Sequence, residues 1–385
     1  MGGTSTDVAL IDRQPRPSNQ SEVAGFPVGV PMLDIHTVGA GGGSIARFDA
    51  GGALRVGPES AGAEPGPICY GRGLQPTVTD ANLILGRLRS ESFLGGKFHL
   101  DEGRTRRVMS QWLKKQRVKQ SLEQFASGVI RVVNATMEKA IRVVSVERGY
   151  DSRQFTLVAF GGAGGLHACE LAQALRIPRV VVPALPGALS AYGILVSDVV
   201  KDYSKTVLLR ARTSLPIQAL DREFAALRRK AETDFHAEGW NGNAHQSSSI
   251  DVRYSGQGYE INVPYDRRVI DNFRQEHRRR YGYDYPDREI ELVTVRVRAS
   301  IPSPISAKRF AHRRDEKDIK QPQRAGVVFS GQRLLTTIWQ RDQLPRGRKL
   351  SGPAIIAEYS ATTIVPPQSA FQVDPAGNLI IDIRP

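Results

Sequence analysis

The stretch Phe155-Thr156-Leu157-Val158-Ala159-Phe160-Gly161-Gly162-Ala163-Gly164-Gly165-Leu166-His167 decides the fold class of this 385-residue chain. Its first six residues are an apolar run typical of a buried strand, and the glycines break that run. A helix is expected from about Leu166 to Leu175, followed by a short strand at Val180-Val181-Val182 and a further helix that starts at Pro186-Gly187. Because strands alternate with helices, the fold class is predicted to be α/β.

Two helices are predicted upstream of this stretch. Thr79-Asp80 is expected to cap a helix over Ala81 to Leu88. Ser121-Leu122-Glu123-Gln124 is a capping-box pattern followed by apolar residues at helical spacing. A long helix is therefore expected from this box to about Arg148, where Gly149 stops it.

The character of the sequence changes after Asp202. We predict an ATPase-like α/β domain over 1–201, an α+β domain over 202–302, and a linker over 303–324, where Pro and charges of both signs accumulate. The remainder, 325–385, has several short apolar runs typical of strands and is predicted to be a small β-rich domain.

The charge balance favours anionic partners. Lys and Arg total 53 and Asp and Glu total 39, so the formal net charge is +14. Basic residues cluster between Arg267 and Arg280 beside tyrosines, which is one pattern of a nucleic-acid surface. Acidic residues are interleaved with them, however, and this mixture favours a solvated helix, so no nucleic-acid partner is expected.

Cysteine usage and hydropathy indicate the compartment. The two cysteines, Cys69 and Cys169, lie too far apart for a metal-binding motif, and reduced cytosolic thiols are the expectation. No apolar run approaches the roughly 18 residues that span a bilayer, so no membrane contact and a cytoplasmic location are expected.

The first eight residues, Met1 to Val8, form a Gly/Thr turn at the start of a strand. Glycines let backbone N–H groups close on phosphate oxygens, hydroxyls add donors, and a carboxylate can hold hydrated Mg²⁺. The candidate phosphate ligands are Gly2, Gly3, Thr4 and Thr6, with Asp7 as catalytic and metal residue. An ordinary hairpin turn explains the same residues equally well.

Two other glycine-rich loops are candidate nucleotide contacts. The loop with Gly161, Gly162 and Gly164 precedes a helix N-terminus, where the dipole and free N–H groups favour anions. Neither this loop nor Gly41-Gly42-Gly43 has the spacing of a dinucleotide fingerprint or a Walker loop. Close helix–strand packing is the alternative explanation.

Three further polar residues are candidates for catalysis. Asp34 and His36 alternate on an extended segment, so that a carboxylate could orient an imidazole for acid/base work. Glu59, like Glu64, lies in a Gly/Pro-rich loop and is a candidate acid. A structural histidine and solvated loop carboxylates are the corresponding alternatives.

Together these motifs resemble the hydantoinase A/5-oxoprolinase family over nearly the whole chain. The resemblance is carried by the segments 1–8, 31–46, 55–73, 76–82, 159–164 and 280–283.

The resemblance implies an actin-like ATPase (ribonuclease H-like) fold and ATP- and Mg²⁺-dependent hydrolysis of a cyclic amide such as 5-oxoproline or a hydantoin. In that scheme the ring carbonyl oxygen is phosphorylated, and hydrolysis often needs a hydantoinase B-type subunit or a fused domain. Related ketone carboxylases use the same scaffold, so a ketone carboxylase subunit is the alternative.

The sequence departs from the family pattern at its start. The family has an Asp directly before the methionine of the first motif, and before that an N-terminal domain with another Asp-x-Gly-Gly-Thr phosphate loop. We therefore expect an N-terminally truncated member, incomplete in its actin-like domain, that acts with the missing half or a B-type subunit. A non-catalytic fragment or assembly subunit is the second hypothesis.

Overall fold

The computed structural model describes residues 1–12, 14–15, 17–18, 21–23, 26–28, 32–211, 214–305, 321–345 and 347–383. The chain divides into two compact units. The first unit comprises Met1–Tyr192 and Phe310–Pro385, and the second unit comprises Gly193–Arg309.

The strands in chain order are β1 (Thr6–Val8), β2 (Ile11–Asp12), β3 (Gln14–Pro15), β4 (Pro17–Ser18), β5 (Ser21–Val23), β6 (Phe26–Val28), β7 (Met32–Leu33), β8 (His36–Val38), β9 (Ser44–Phe48), β10 (Leu54–Ser60), β11 (Thr156–Val158), β12 (Arg179–Val182), β13 (Val199–Ala211), β14 (His245–Tyr254), β15 (Ile261–Pro264), β16 (Ile290–Ile301), β17 (Gln323–Phe329), β18 (Gln332–Gln340), β19 (Leu350–Ser351), β20 (Ala354–Ala357), β21 (Thr362–Val365), β22 (Ala370–Val373) and β23 (Leu379–Asp382). The helices are α1 (Val78–Ile84), α2 (Glu102–Lys115), α3 (Leu122–Val144), α4 (Gly164–Leu175), α5 (Leu189–Val196), α6 (Ile217–Ala237) and α7 (Val269–Tyr281).

The strand–loop–helix–strand order predicted around the second glycine loop is present as β11, α4 and β12, and β11 and β12 pair in parallel. The mixed sheet that contains them has the order β11–β12–β23–β22–β19. Its last three strands come from the C-terminal part of the chain, and β23 pairs antiparallel with β12. A second sheet of the first unit has the order β17–β18–β20–β21.

The long helix α3 is the centre of the first unit. Its capping box is formed as predicted by Ser121 and Gln124, and the helix ends at Val144, with a short 3₁₀ turn up to Arg148. Phe125, Val129, Val133 and Met137 recur every four residues on its buried face. Because i and i+4 share one face of a helix, this stripe packs into the main core of the unit.

Helix α1 begins at Val78, three residues earlier than the sequence suggested, and ends at Ile84 rather than Leu88. Its N-cap is Thr77, whose hydroxyl accepts from the Asp80 N–H, while the Asp80 carboxylate accepts from the Thr77 N–H. Asp80 therefore occupies the third helical position of a capping box, rather than the cap itself.

The second unit is an antiparallel sheet with the order β13–β16–β14–β15. Helices α6 and α7 pack against this sheet. Phe224 of α6 and Phe273 of α7 belong to one buried cluster with Val252 and Val295 of the sheet. The second unit is therefore an α+β arrangement of one antiparallel sheet and two helices.

The division of the chain differs from the sequence-based one at two places. The expected boundary at 201 falls inside the continuous strand β13. Residues 325–385 were expected to form a domain of their own, but β22 and β23 extend the sheet of β12, and Phe371 and Ile381 belong to the main core of the first unit. Most of the expected linker, 306–320, lies outside the described residues.

Candidate functional site

A cleft of about 160 Å³ in the first unit brings distant loops together. Gly2 and Gly3 of the first glycine loop line it, together with Gly162 and Ala163 at the start of α4. Glu358 to Thr362, between β20 and β21, line another side. The sequence analysis identified the two glycine loops, and the structure places them at one cleft.

The stretch Gly41–Gly43 packs against the first glycine loop. The Gly42 N–H donates to the Gly2 carbonyl at 3.0 Å, and the Gly43 N–H donates to the Gly3 carbonyl at 2.6 Å. A Cβ at Gly41 would lie 2.5 Å from the Thr4 carbonyl carbon. These glycines thus permit close backbone approach, and of the three only Gly42 lines the cleft.

The first turn of α1 anchors this pair of loops. Both the N–H and the hydroxyl of Thr79 donate to the Gly42 carbonyl at 2.8 Å. The neighbouring Asp80 is fully buried, and its carboxylate accepts from the N–H groups of Ile68, Cys69 and Thr77 and from the Thr77 hydroxyl. Burial raises the pKa of Asp80, and these donors oppose the rise.

The second glycine loop also has a structural part. Gly161 has a φ of +83°, and a Cβ there would lie 2.1 Å from the Met1 carbonyl oxygen. The Gly161 N–H donates to the Pro186 carbonyl at 2.8 Å, and the Gly164 N–H donates back to the Gly161 carbonyl at 3.3 Å. Gly161 and Gly164 therefore shape the loop, whereas Gly162 lines the cleft.

Thr4, Thr6 and Asp7 are not among the residues that line the cleft. Thr6 is buried and its hydroxyl donates to the Ala40 carbonyl at 2.5 Å, so the expectation that it faces phosphates is corrected. Asp7 is exposed on the side of β1 opposite to Thr6, and its carboxylate accepts a hydrogen bond from the Thr37 hydroxyl at 2.7 Å. Thr4 is exposed.

The other candidate catalytic residues also lie outside the lining of the cleft. The Asp34 carboxylate forms an ion pair with Arg148, and the Glu59 carboxylate forms one with Arg47. His36 is half-buried on β8, where it pairs with Val8 of β1.

The segment Glu358–Thr362 is one part of the cleft that the sequence analysis did not identify. Glu358 forms an ion pair with Arg341 at 2.7 Å, and both side chains are nearly buried. Arg341 is itself fixed by the carbonyls of Val182 and Gly377. Burial raises the pKa of Glu358, and the guanidinium opposes that rise.

A buried polar chain lies behind the second glycine loop. Arg87 pairs with Glu170 at 2.7 Å, Glu170 accepts from the Asn134 amide at 2.6 Å, and the Asn134 carbonyl oxygen lies 2.7 Å from Nδ1 of His167. Nδ1 therefore carries the ring proton. Burial, followed by the Arg87 charge, lowers the pKa of His167 to about 3, so this histidine is neutral.

The described part of the chain holds neither a metal-binding cluster nor a membrane-spanning helix. Within the described ranges, no group of three or more His, Cys, Asp or Glu side chains is arranged to hold a metal ion. In the same part of the chain, no helix is long and apolar enough to cross a membrane.

Comparison with known proteins gives the family. The model of the hydantoinase/oxoprolinase family matches residues 1–203, and that of the hydantoinase/oxoprolinase C-terminal domain matches residues 210–377. The caprolactamase subunit alpha of Pseudomonas jessenii is 34% identical over 98% of this chain, and 5-oxoprolinase 1 of Arabidopsis thaliana is 32% identical over 100% of it.

A solved structure gives the fold. The nucleotide-free structure of acetone carboxylase matches 100% of this chain with a TM-score of 0.85 at 23% identity. This likeness confirms the expected α/β fold with an actin-like ATPase domain. The chain spans 57% of that structure, 56% of the caprolactamase subunit and 32% of the plant enzyme. The resemblance drawn from the sequence motifs is confirmed, and the chain belongs to the hydantoinase/oxoprolinase family.

Proposed function

We propose that the first unit binds ATP with Mg²⁺ in the cleft between the two glycine loops and serves ATP-dependent hydrolysis of a cyclic amide. The observation that carries this proposal is the convergence of Gly2-Gly3 and Gly162-Ala163, which lie about 160 residues apart in the sequence, on one cleft.

The cleft is suited to a polyphosphate. Gly2 and Gly3 are exposed, and a Cβ at either position would meet nothing within 4 Å, so the backbone there is open to a ligand. Helix α4 starts beside them, and no side chain caps its N-terminus. The helix dipole favours an anion at this end. The ion pair with Arg341 compensates the negative charge of Glu358, which lines the same cleft.

The chemistry follows from the poor reactivity of an amide. ATP supplies a phosphoryl group that turns the ring carbonyl oxygen into a leaving group. The task of this chain is placement of the phosphates and stabilisation of their charge by backbone donors. Asp7, the metal residue expected from the motif, is exposed on β1 outside the lining of the cleft, so no step is assigned to it.

The relatives support the substrate class and a partner. Proteins named 5-oxoprolinase and caprolactamase both act, by name, on cyclic amides, and the caprolactamase relative is named as a subunit. We propose that this chain acts on a ring of the same class within a larger assembly that includes a hydantoinase B-type subunit or an additional N-terminal half.

The test compares two glycine variants. Gly3→Val places a side chain in the open space at the cleft, and Gly258→Val does the same at an exposed glycine of the second unit with equally open surroundings. We expect Mg-ATP to raise the melting temperature of the wild-type chain and of Gly258→Val, but not that of Gly3→Val.

The unliganded melting temperatures of both variants should match the wild type, which separates blocked binding from misfolding. An equal Mg-ATP shift in Gly3→Val, or no shift in the wild type, would overturn the proposal.

A further inference from the structure

One wall of the cleft is apolar and aromatic, unlike the glycine backbone opposite it. Phe93 and Leu94 come from a short 3₁₀ segment, Phe93–Gly96, and Tyr359 comes from the segment between β20 and β21. Neither the motifs of the sequence nor the phosphate-binding proposal accounts for this wall.

Leu94 is held in an unfavourable conformation. Its φ of 49° and ψ of 43° lie in the left-handed region, which L-residues with a side chain rarely adopt. The leucine is nevertheless 37% exposed, so burial does not compensate for the strain. Residues with a strained backbone cluster at active sites and ligand-binding sites.

Tyr359 is fixed in place although it is 60% exposed. Its ring lies against Gly95, where a Cβ would come within 2.7 Å of the ring, and Gly95 itself has a φ of +65°. Nζ of Lys97 lies 5.7 Å from the ring centroid. The ring is thus supported at its edge and by a cation, yet most of its surface is open.

Phe93 is supported from behind by other rings. Its ring centroid lies 5.9 Å from that of Tyr70 and 6.0 Å from that of Phe98. Phe93 therefore belongs to a packed aromatic cluster beside the cleft.

We propose that Leu94 and Tyr359 form a subsite for the planar heteroaromatic base of the nucleoside triphosphate, and thereby determine how much the base adds to affinity. This inference rests on the proposed function, because it assumes that the glycine loops hold the phosphates. A base has two flat apolar faces and a polar edge, which match an aromatic wall beside exposed backbone.

The test separates the base from the phosphates. The affinities of ATP and of inorganic triphosphate are measured by calorimetry, both with Mg²⁺, for the wild-type chain and for Tyr359→Ala. The wild type should bind ATP at least tenfold more tightly than triphosphate, as expected for one stacked base. Tyr359→Ala should lose most of this ratio while its triphosphate affinity stays unchanged.

Two further variants keep the test decisive. Tyr283→Ala removes a similarly exposed tyrosine, 44% against 60%, from the second unit and should retain the wild-type ratio. Leu94→Gly removes both the side chain and the strain, so it should lower the ratio while the unliganded protein becomes no less stable.

The outcomes distinguish the two proposals. Wild-type ratios in both Tyr359→Ala and Leu94→Gly would overturn the subsite while leaving the phosphate site intact. Loss of caprolactam or 5-oxoproline binding in Tyr359→Ala, with ATP binding unchanged, would assign the wall to the ring substrate instead. Absence of binding of both triphosphates by the wild type would overturn the proposed function, and the subsite with it.

Discussion

The buried His167 should make the first unit sensitive to acid, and the expected size of the effect can be worked out. Burial lowers the pKa of His167 to about 3 in the folded protein, whereas an unfolded histidine has a pKa of about 6.5. The unfolded chain therefore binds more protons between these values. Since proton binding favours the state that binds more of them, stability is lost as the pH falls below about 6.5.

At pH 5 the unfolded histidine is almost fully protonated and the folded one almost fully neutral. Linkage over the 1.5 units between pH 6.5 and pH 5 gives a loss of about 2 kcal/mol in the free energy of unfolding relative to neutral pH. This is a large fraction of the roughly 5–15 kcal/mol that stabilises a typical domain.

Urea unfolding at pH 7 and pH 5 measures the effect. Trp112 and Trp339 pack on the main core of the first unit, so a Trp240→Phe background makes tryptophan fluorescence report on that unit. Other acidic groups contribute to the acid loss as well, and His167→Gln isolates the histidine. The wild type should lose about 2 kcal/mol more than His167→Gln.

The exposed His99 provides the control, since His99→Gln should retain the full acid loss of the wild type. Equal losses in wild type and His167→Gln, within about 0.5 kcal/mol, would refute the assignment of a neutral buried imidazole in the folded state.

Two stability predictions concern the packing of the glycine loops, and both are measured by the same urea unfolding. Gly41→Ala should lower the free energy of unfolding by about 1–3 kcal/mol, because the added Cβ would lie 2.5 Å from the backbone of the first glycine loop. Gly51→Ala is the control and should be close to neutral, since the nearest atom to its Cβ is 3.4 Å away. Equal losses in the two variants would contradict the close approach at Gly41. Asp80→Ala should lower the free energy of unfolding by about 3 kcal/mol or more, since it leaves the buried donors of Ile68, Cys69 and Thr77 without acceptors. Asp80→Asn keeps one acceptor oxygen and should lower it by less. An unchanged free energy of unfolding in Asp80→Ala would show that these donors find other partners.

Elements with strong local signals could be predicted from the sequence. The Ser121 capping box and the four-residue spacing of Phe125, Val129, Val133 and Met137 are sufficient to define α3, because both act within one or two turns. The predicted start of α1 differs from the observed one because Thr77 and Thr79 are both suitable N-caps. The local sequence does not distinguish between them, and in the structure Thr77 is the N-cap. Thr79 donates to Gly42 instead.

Features that depend on contacts between distant residues could not be predicted. Nothing near β23 indicates that its partner is β12, since an apolar run of four residues pairs equally well with many strands. Only part of the cleft can be predicted from the sequence, for the same reason. Glycine motifs are visible in the sequence, but Leu94 and Tyr359 join them only after the chain has folded.

The pairing of β12 with β23 also sets an order of events during synthesis. β12 ends at Val182 and its neighbour begins at Leu379, so about 200 residues must be translated before the sheet can close. At ribosomal rates of roughly 5–20 residues per second, this delay lasts about 10–40 s. Throughout that interval the nascent chain exposes the free edge of β12 and the apolar core residues that β22 and β23 later cover, and such a species is a target for chaperones.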